Sequence, residues 1–195
     1  RTDTREELLA HLDGGPPRYL THDLGASARH VAWHPDGRSL SYSADADGNE
    51  RHQLYLVDAD DGGITALTDA PDVTFRPAFG NPFSPDGRFL AYAGADRTPT
   101  DQDVLVRDLV TGEVRRVYAG GGRVYAGHWS PDGTRLTVID FRGAMTDHVI
   151  SVLSIDDGRT TRLTPAGDTV TYLPGPWLPD GSGVLVLTNA GRDTT

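Results

Sequence analysis

The chain contains no cysteine and no lysine, and only 4 of its 28 acidic residues are glutamate. The absence of cysteine excludes disulfides and thiolate metal sites but leaves the redox compartment open. Aspartate favours turns whereas glutamate favours helices, so the scarcity of glutamate argues against a helical protein. No apolar run approaches the roughly 18 residues of a membrane-spanning helix, and we therefore expect no membrane partner.

Charge and the N-terminal sequence limit the partners and the location further. A formal net charge of −10 repels phosphate backbones, and the sequence has no local basic patch, so we expect no nucleic-acid partner. No signal peptide is visible, which predicts a cytoplasmic protein, although the chain begins with Arg1 and not with Met.

A repeated turn motif, Pro-Asp-Gly, organises the sequence. It occurs four times, at intervals of 50, 46 and 48 residues, and an aromatic residue stands two positions before each proline. The motifs begin at Pro35, Pro85, Pro131 and Pro179, and the aromatic residues are Trp33, Phe83, Trp129 and Trp177. Proline presets the first corner of a β-turn, aspartate bonds the backbone beyond it, and glycine relieves the exit. The motif therefore predicts a tight turn between two strands in each repeat.

The sequence around each turn repeats too. An alternating strand follows each glycine, and then come a longer loop, an apolar run, a glycine turn and a short closing strand such as Leu67-Thr68 or Leu163-Thr164. This order predicts a four-stranded antiparallel meander of about 40–50 residues, which is one blade of a β-propeller. We thus predict an all-β chain, a single β-propeller segment over residues 1–195 with about four blades' worth of sheet. The parts are expected at 1–22 (second half of a blade), 23–68, 69–118, 119–164 and 165–195 (first half of a blade).

One segment, from Glu6 to Leu12, fits a helix as well as a strand. Its surroundings match the second half of a blade, because Gly14-Gly15 and Leu20-Thr21 follow it, so we predict a strand there. The chain is therefore predicted to begin and to end in the middle of a repeat.

The string Phe83-Ser84-Pro85-Asp86-Gly87-Arg88-Phe89-Leu90-Ala91-Tyr92 and the shorter Trp129-Ser130-Pro131-Asp132-Gly133 resemble the propeller repeats of two groups of proteins. One is the N-terminal propeller of the prolyl oligopeptidase family of serine peptidases, especially its acylaminoacyl-peptidase and dipeptidyl-peptidase branches. The other is the TolB-like propeller. The resemblance covers nearly the whole chain. Long irregular loops and the insertion Gly80-Asn81-Pro82 depart from the compact TolB-like unit and favour the peptidase group.

The resemblance to the peptidases implies a non-catalytic propeller that gates or docks peptide substrates for a separate α/β-hydrolase domain, which carries the catalytic Ser, Asp and His. The resemblance to TolB implies a non-catalytic scaffold for protein–protein interaction. A third alternative is a propeller enzyme such as a lyase or lactonase, with a His or acid cluster at the central channel. Because fold analogy does not establish activity, whether the parent protein is an enzyme stays open. We predict no catalytic residue, cofactor or metal site in this chain.

Four patterns resemble functional sites, and a structural role explains each better. Gly181-Ser182-Gly183 is the nearest approach to a Gly-x-Ser-x-Gly nucleophile elbow, but it falls in a predicted turn. His30 and His34 have the spacing of a zinc helix, but in a strand they lie about 13 Å apart. Asp45-Ala46-Asp47-Gly48-Asn49 begins like a calcium loop, but Glu50 stands where glycine is needed. The repeated tryptophans are interpreted as packing between neighbouring sheets and not as a stacking platform for a ligand.

The remaining functional prediction concerns the longer loops, which lie opposite the tight turns. Loops on a rigid scaffold often carry function, so we predict a contact surface there for a peptide substrate or a protein partner. These loops are Asp45 to His52, Ala95 to Gln102, Arg142 to Asp147, Asp69 to Thr74 and Ala119 to Gly122. The half-blades present unpaired strand edges, which we expect to pair with a missing remainder of the same chain or with a second copy. For the isolated chain we expect the two-copy arrangement in preference to a cramped four-blade ring.

Overall fold

The structure is a computed structural model that describes residues 8–9, 15–20, 28–46, 48–141, 148–165 and 170–190. The regular elements of this described part are β-strands, as the sequence predicted. The described residues include no helix that is long and apolar enough to cross a membrane. The chain divides into two compact units, Arg1–Arg76 and Pro77–Thr195.

The first unit contains a two-stranded and a four-stranded antiparallel sheet. β1 (Leu8–Leu9) pairs with β2 (Arg18–Tyr19), so the strand predicted between Glu6 and Leu12 is present at its centre. The rest of that segment lies outside the described residues. The four-stranded sheet, which we call the first sheet, has the order β3–β4–β5–β6. Its strands are β3 (Arg29–Trp33), β4 (Ser39–Ala44), β5 (Gln53–Asp58) and β6 (Ile64–Ala66).

The second sheet, the third sheet and a half-sheet follow along the chain. The second sheet has the order β7–β8–β9–β10 and the third β11–β12–β13–β14, and the half-sheet pairs β15 with β16. The strands are β7 (Phe75–Pro77), β8 (Phe89–Gly94), β9 (Asp103–Asp108), β10 (Val114–Tyr118), β11 (Arg123–Trp129), β12 (Arg135–Phe141), β13 (His148–Ser154), β14 (Thr160–Arg162), β15 (Tyr172–Trp177) and β16 (Val184–Thr188). The strands of the three four-stranded sheets span residues 29–66, 75–118 and 123–162.

Each Pro-Asp-Gly motif connects the first and second strands of its repeat. In the second sheet, the N–H of Gly87 donates to the carbonyl of Ser84 (2.9 Å), and the carboxylate of Asp86 accepts the N–H of Arg88 (3.0 Å). The four motif glycines have φ between 69° and 75°, a region that residues with a side chain rarely adopt. Since all these contacts are local, the turn sets the register between the two strands it joins.

The Leu-Thr pairs that end two of the repeats, Leu67-Thr68 and Leu163-Thr164, have a specific structural role. The hydroxyl of Thr68 accepts the N–H of Leu54, and that of Thr164 accepts the N–H of Ile150, both at 2.9 Å. The threonine side chain thus satisfies a backbone donor of the third strand in place of a ladder carbonyl. For this reason the regular fourth strands end before the Leu-Thr pairs, earlier than predicted.

The alternating residues of the strands form one apolar core in each unit. In the second unit, β11 packs against β8 and β9, and β15 packs against β11, β12 and β13, so these sheets stack face to face. The core of the first unit contains Leu20, Ala28, Leu40, Tyr42, Ala44 and Val57. The core of the second unit includes Val104, Val106, Val124, Leu136, Val138 and Leu153.

A β-bulge interrupts the first strand in three of the repeats. In β11 and β15 the bulge contains a glycine, Gly127 or Gly175. A Cβ on Gly127 would lie 2.8 Å from the carbonyl oxygen of Thr137, closer than such atoms approach in proteins. The glycine therefore lets the bulged strand come close to its neighbour.

The bulge in β3 differs because the corresponding position is occupied by Val31. There the register changes between Arg29 and Ala32, one residue earlier relative to the tryptophan than in β11. His30 takes a left-handed conformation within this bulge, with φ of 55°. The displaced bulge thus puts the left-handed backbone conformation on His30, a residue with a side chain.

The insertion Gly80-Asn81-Pro82 interrupts the first strand of the second sheet. β7 ends at Pro77, and the chain rejoins the sheet through an isolated bridge between Phe83 and Leu90. The carbonyl of Pro82 accepts the N–H of Ala91 (2.9 Å) beside this bridge. The insertion therefore forms a short loop that leaves the first strand of the sheet and returns to it at Phe83.

Candidate functional site

The hairpin that connects the second strand of a sheet to the third lies at one end of the sheet, which we call the hairpin end. The loops predicted as a contact surface lie at this end. The Pro-Asp-Gly turn lies at the opposite end of the same sheet. Loops 45–52 and 95–102 occupy the hairpin ends of the first and second sheets, and all their residues except Asp47 are described. The predicted loop 142–147 lies outside the described residues.

A buried carboxylate anchors loop 95–102 to the second sheet. Asp103, the first residue of β9, is fully buried. Its carboxylate accepts a hydrogen bond from Nε of Arg97 in the loop (2.7 Å) and pairs with Nε of Arg116 in β10 (2.9 Å). Arg116 also contacts the carboxylate of Asp96 at 2.8 Å. Because a buried carboxylate requires paired donors, these contacts fix the conformation of the loop.

A second carboxylate joins this loop to the connection between β10 and β11. The N–H of Gly122 donates to the carboxylate of Asp101 (2.9 Å), and the N–H of Asp101 donates to the hydroxyl of Thr98 (3.1 Å). The hydrogen bond from Gly122 is the main cause that holds the pKa of Asp101 below its usual value, followed by one with the side chain of Thr98. Two of the predicted loops, 95–102 and 119–122, thus form one ordered surface in the second unit.

The hairpin end of the first sheet carries a cluster of histidine and acid side chains. Asp45 follows β4. One of its carboxylate oxygens accepts the N–H of Glu50 (2.9 Å), and the other lies 3.9 Å from Nδ1 of His52. Nδ1 of His30 lies 3.0 Å from the hydroxyl oxygen of Ser43. Glu50, like His30, has a left-handed backbone, with φ of 60°. Left-handed conformations of residues other than glycine are costly and concentrate at functional sites.

The two histidines of this cluster have lowered pKa values. Burial is the main cause for each of them. The positive charges of His52, Arg76 and Arg29 lower the pKa of His30 further. At His52 the carboxylate of Asp45 opposes the effect of burial on the pKa, while Arg29 and Arg76 reinforce it. Both rings therefore resist protonation more than an imidazole in water does.

The two histidines singled out by their sequence spacing have separate structural roles. His34 follows β3 in the Pro-Asp-Gly turn, where its Nδ1 lies 2.8 Å from the carboxylate of Asp36. His30 instead lies in the same cluster as His52, which is 22 residues further along the chain. Across the residues that the structure describes, no group of three or more His, Asp or Glu side chains is arranged to hold a metal ion.

The serine and calcium-like patterns have structural partners as well. The hydroxyl of Ser182 donates to the carboxylate of Asp180 (2.7 Å) within the turn between β15 and β16. Asp45, the first residue of the calcium-like string, caps the hairpin through Glu50. These contacts agree with the structural interpretation of both patterns.

The repeated tryptophans connect neighbouring sheets in the second unit. Nε1–H of Trp129 donates to the carbonyl of Pro82 (2.8 Å), and that of Trp177 donates to the carbonyl of His128 (2.9 Å). Each acceptor stands immediately before the aromatic residue of the preceding repeat, which confirms the packing interpretation for these two. Trp33 departs from it, because its side chain is 43% exposed. The sheet preceding it contains only the two-residue strands β1 and β2 among the described residues.

Sequence reasoning did not single out Arg29, Arg76, Asp103 or Arg116, and it included His52 only as the last residue of a predicted loop. None of them belongs to a motif, and each meets its partners only through the pairing of strands. A weak signal is present in their position, since Asp103 begins β9 and His52 immediately precedes β5. Polar residues at strand ends that are nevertheless buried are a useful indication of such clusters.

No protein-family model matches the chain, and no curated protein matches it. Among solved structures, TolB from Acinetobacter baumannii superposes with a TM-score of 0.71 and 23% identity, over 96% of this chain and 44% of that protein. A prolyl endopeptidase superposes with a TM-score of 0.70 and 18% identity, over 92% of this chain and 28% of the endopeptidase. The β-propeller domain of the trilobed protease from Pyrococcus furiosus gives a TM-score of 0.55 and 12% identity, over 84% and 53% of the two chains.

The chain has the β-propeller fold. Its repeats have the fold of the propellers in TolB and in prolyl-oligopeptidase-like peptidases, the two groups that the Pro-Asp-Gly repeat resembles. The chain spans less than half the length of the TolB protein and less than a third of the endopeptidase. At these levels of identity the similarity establishes the fold alone.

Proposed function

We propose that this chain is the non-catalytic propeller portion of a prolyl-oligopeptidase-like serine peptidase. Its hairpin-end loops then gate or dock peptide substrates for a separate α/β-hydrolase domain. The chain covers only 28% of a structurally similar prolyl endopeptidase, so a protein of that length has space for such a domain beside the propeller. The insertion Gly80-Asn81-Pro82 and the long loops support the peptidase over the TolB-like alternative.

The anchoring of loop 95–102 by Asp103 is the observation that carries the proposal. Arg97 and Arg116 converge on a carboxylate that is fully buried, so the loop has a fixed shape instead of a mobile one. A docking surface needs this property, because a preorganised loop loses little conformational entropy when a peptide binds. The tight turns at the opposite end of the sheet offer much less surface for recognition.

The alternative is a TolB-like scaffold that binds a protein partner and serves no hydrolase. The TM-score of 0.71 with TolB supports the scaffold function as strongly as the TM-score of 0.70 with the endopeptidase supports the peptidase function. The two functions differ in one property, since only the peptidase turns over peptides.

The test is a kinetic comparison in the full-length protein that contains this chain. Asp103→Asn removes the charge that holds Arg97 and Arg116. We expect KM for an internally quenched peptide of a dozen residues to rise about threefold or more while kcat changes little, because docking is weakened and the chemistry is not. A dipeptide anilide, too short to reach the loop, keeps its kcat/KM.

Asp96→Asn is the matched control, because it removes a more exposed carboxylate from the same network. Exposed ion pairs contribute little, so this variant is expected to behave like the wild type with both substrates. Equal effects of Asp103→Asn on the long and the short substrate would argue against docking by this loop. A full-length protein without peptidase activity would support the scaffold instead.

A further inference from the structure

The histidine cluster at the hairpin end of the first sheet has a defined hydrogen-bonding state. The hydroxyl of Ser43 donates its single proton to the carbonyl of Arg29 (3.1 Å). Nδ1 of His30, 3.0 Å from the same oxygen, must therefore be the donor in that contact. The neutral ring carries its proton on Nδ1 and leaves Nε2 as the nitrogen that gains a proton when the ring becomes charged.

Positive charge converges on this ring from several elements. Arg29 precedes His30 in β3, and Arg76 follows Phe75, whose N–H donates to the carbonyl of His52 (2.8 Å). Both arginines and His52 act electrostatically on His30. Like charges that are gathered around an imidazole repel one another, and an anion bound among them would relieve the repulsion.

The buried His52 is the second observation that points to a ligand. Its exposed fraction is 7%, and its Nδ1 is buried without a hydrogen-bond partner. The nearest carboxylate oxygen, on Asp45, is 3.9 Å away, which is beyond hydrogen-bond distance. Buried polar atoms are nearly always satisfied, so this unsatisfied imidazole nitrogen marks a position for an additional hydrogen-bond partner.

We propose that Arg29, His30, His52 and Arg76 form a binding site for a carboxylate. The two acidic residues of the cluster, Asp45 and Glu50, favour a singly charged anion over a phosphate dianion, since both repel negative charge. A peptide C-terminus, an acidic side chain and a small carboxylic acid share the required chemistry. Binding at this site does not depend on the presence of a hydrolase domain.

Binding is expected to strengthen as the pH falls from about 8 to about 6. The charged groups that act electrostatically on His30 and His52 are Arg29 in β3, Asp45 and Glu50 in the hairpin and Arg76 in β7. In the free protein the histidines resist protonation, and a bound carboxylate stabilises their charged forms, so binding takes up protons. The ligand carboxylate stays charged throughout this range.

Calorimetric titration with an N-acetylated tetrapeptide tests the site, with its free C-terminal acid compared against the C-terminal amide. We expect the acid to bind roughly tenfold or more tightly than the amide, and more tightly at about pH 6 than at about pH 8. Acetate distinguishes recognition of the carboxylate alone from recognition of a peptide, and inorganic phosphate tests the preference for a monoanion. Equal binding of acid and amide, no binding, or stronger binding of phosphate would each overturn the proposal.

Variants locate the site on the protein. Arg76→Gln and His30→Asn are expected to weaken binding of the acid about tenfold, and asparagine is chosen because it tolerates the left-handed backbone of His30. Arg38→Gln, an exposed arginine in the Pro-Asp-Gly turn at the other end of the sheet, is the matched control and should bind like the wild type. Equal losses in all three variants would contradict the assignment. The comparison of acid and amide in the unaltered chain needs no variant to fold.

Discussion

Among single residues, the aspartates of the four Pro-Asp-Gly turns combine a structural and an electrostatic role. Each accepts the N–H two residues further on and so closes its turn. The pKa values of all four lie below the usual value for aspartate, at Asp36, Asp86, Asp132 and Asp180. A serine hydroxyl is the main cause of the lowered pKa at the last three, and the N–H of Arg38 is the main cause at Asp36. The turns are thus stabilised by the charged form of each aspartate.

Asp132 shows the largest effect of the four and gives the first prediction. Hydrogen bonds from the hydroxyl of Ser130 and from the N–H and hydroxyl of Thr134 lower its pKa from 3.8 to about 2. Since the folded pKa lies below the unfolded one, the stabilisation is present above about pH 4 and is lost as the pH falls towards about 2. The side chain is about half exposed, so we expect its contribution at neutral pH to stay below about 1 kcal/mol.

Asp132→Asn isolates this contribution, because an amide oxygen can still accept the N–H of Thr134 but carries no charge. We expect the variant to be less stable than the wild type at about pH 7 and equally stable at about pH 2, as measured by urea unfolding followed through tryptophan fluorescence. Asp69→Asn, an exposed site outside the turns, is the control. A difference between Asp132→Asn and the wild type that is the same at both pH values would contradict the prediction.

Among the strands, the bulged first strand of the third sheet depends on close backbone approach. Gly127 faces the carbonyl of Thr137 across the bulge of β11, with no room for a Cβ. Gly183, in contrast, lies near the flexible end of the Leu178 side chain, which can move aside. The two glycines therefore differ in what a methyl group would meet, although neither has a positive φ.

Gly127→Ala is expected to destabilise the chain by about 1–3 kcal/mol, because the added methyl group must displace backbone atoms of β12. Gly183→Ala is the matched control and should change stability by less than about 1 kcal/mol. Both values come from urea unfolding at neutral pH. Equal effects of the two substitutions would show that the bulge of β11 does not require glycine.

For the molecule as a whole, the half-sheet presents an uncovered apolar face. Leu173 pairs with Leu187 across β15 and β16, and Leu185 lies on the same face two residues away. Leu173 is 42% exposed, Leu185 57% and Leu187 68%. In the second unit the other sheets cover one another, so this face is suited to one more sheet.

We propose that a second copy covers this face when the chain is isolated, whereas further sequence of a longer protein covers it otherwise. Light scattering should then give about twice the 21.0 kDa of the chain. Leu187→Arg is expected to restore the mass of one chain, because a charge cannot be buried in the apolar contact. Val110→Arg, at a residue 80% exposed in a turn of the second sheet, should leave the mass doubled. A wild-type chain of 21.0 kDa at all concentrations would contradict the proposal.

The fold class follows from the amino-acid sequence alone. The Pro-Asp-Gly turns could be predicted because their contacts join residues only a few positions apart, as between Gly87 and Ser84. The same holds for the alternation of apolar residues, which depends on the period of the strand and not on its neighbours. A nucleophile elbow is a local pattern too, so the sequence alone shows that no Gly-x-Ser-x-Gly string is present.

The positions of the polar clusters and the partners of the tryptophans depend instead on tertiary structure. Asp103 meets Arg97 and Arg116 through the pairing of β8, β9 and β10. The cluster around His30 likewise gathers residues from separate strands of the first unit. The carbonyl acceptors of Trp129 and Trp177 lie in the preceding repeats. These contacts join residues that are distant along the chain, and their geometry depends on bulges and register shifts that no local pattern encodes.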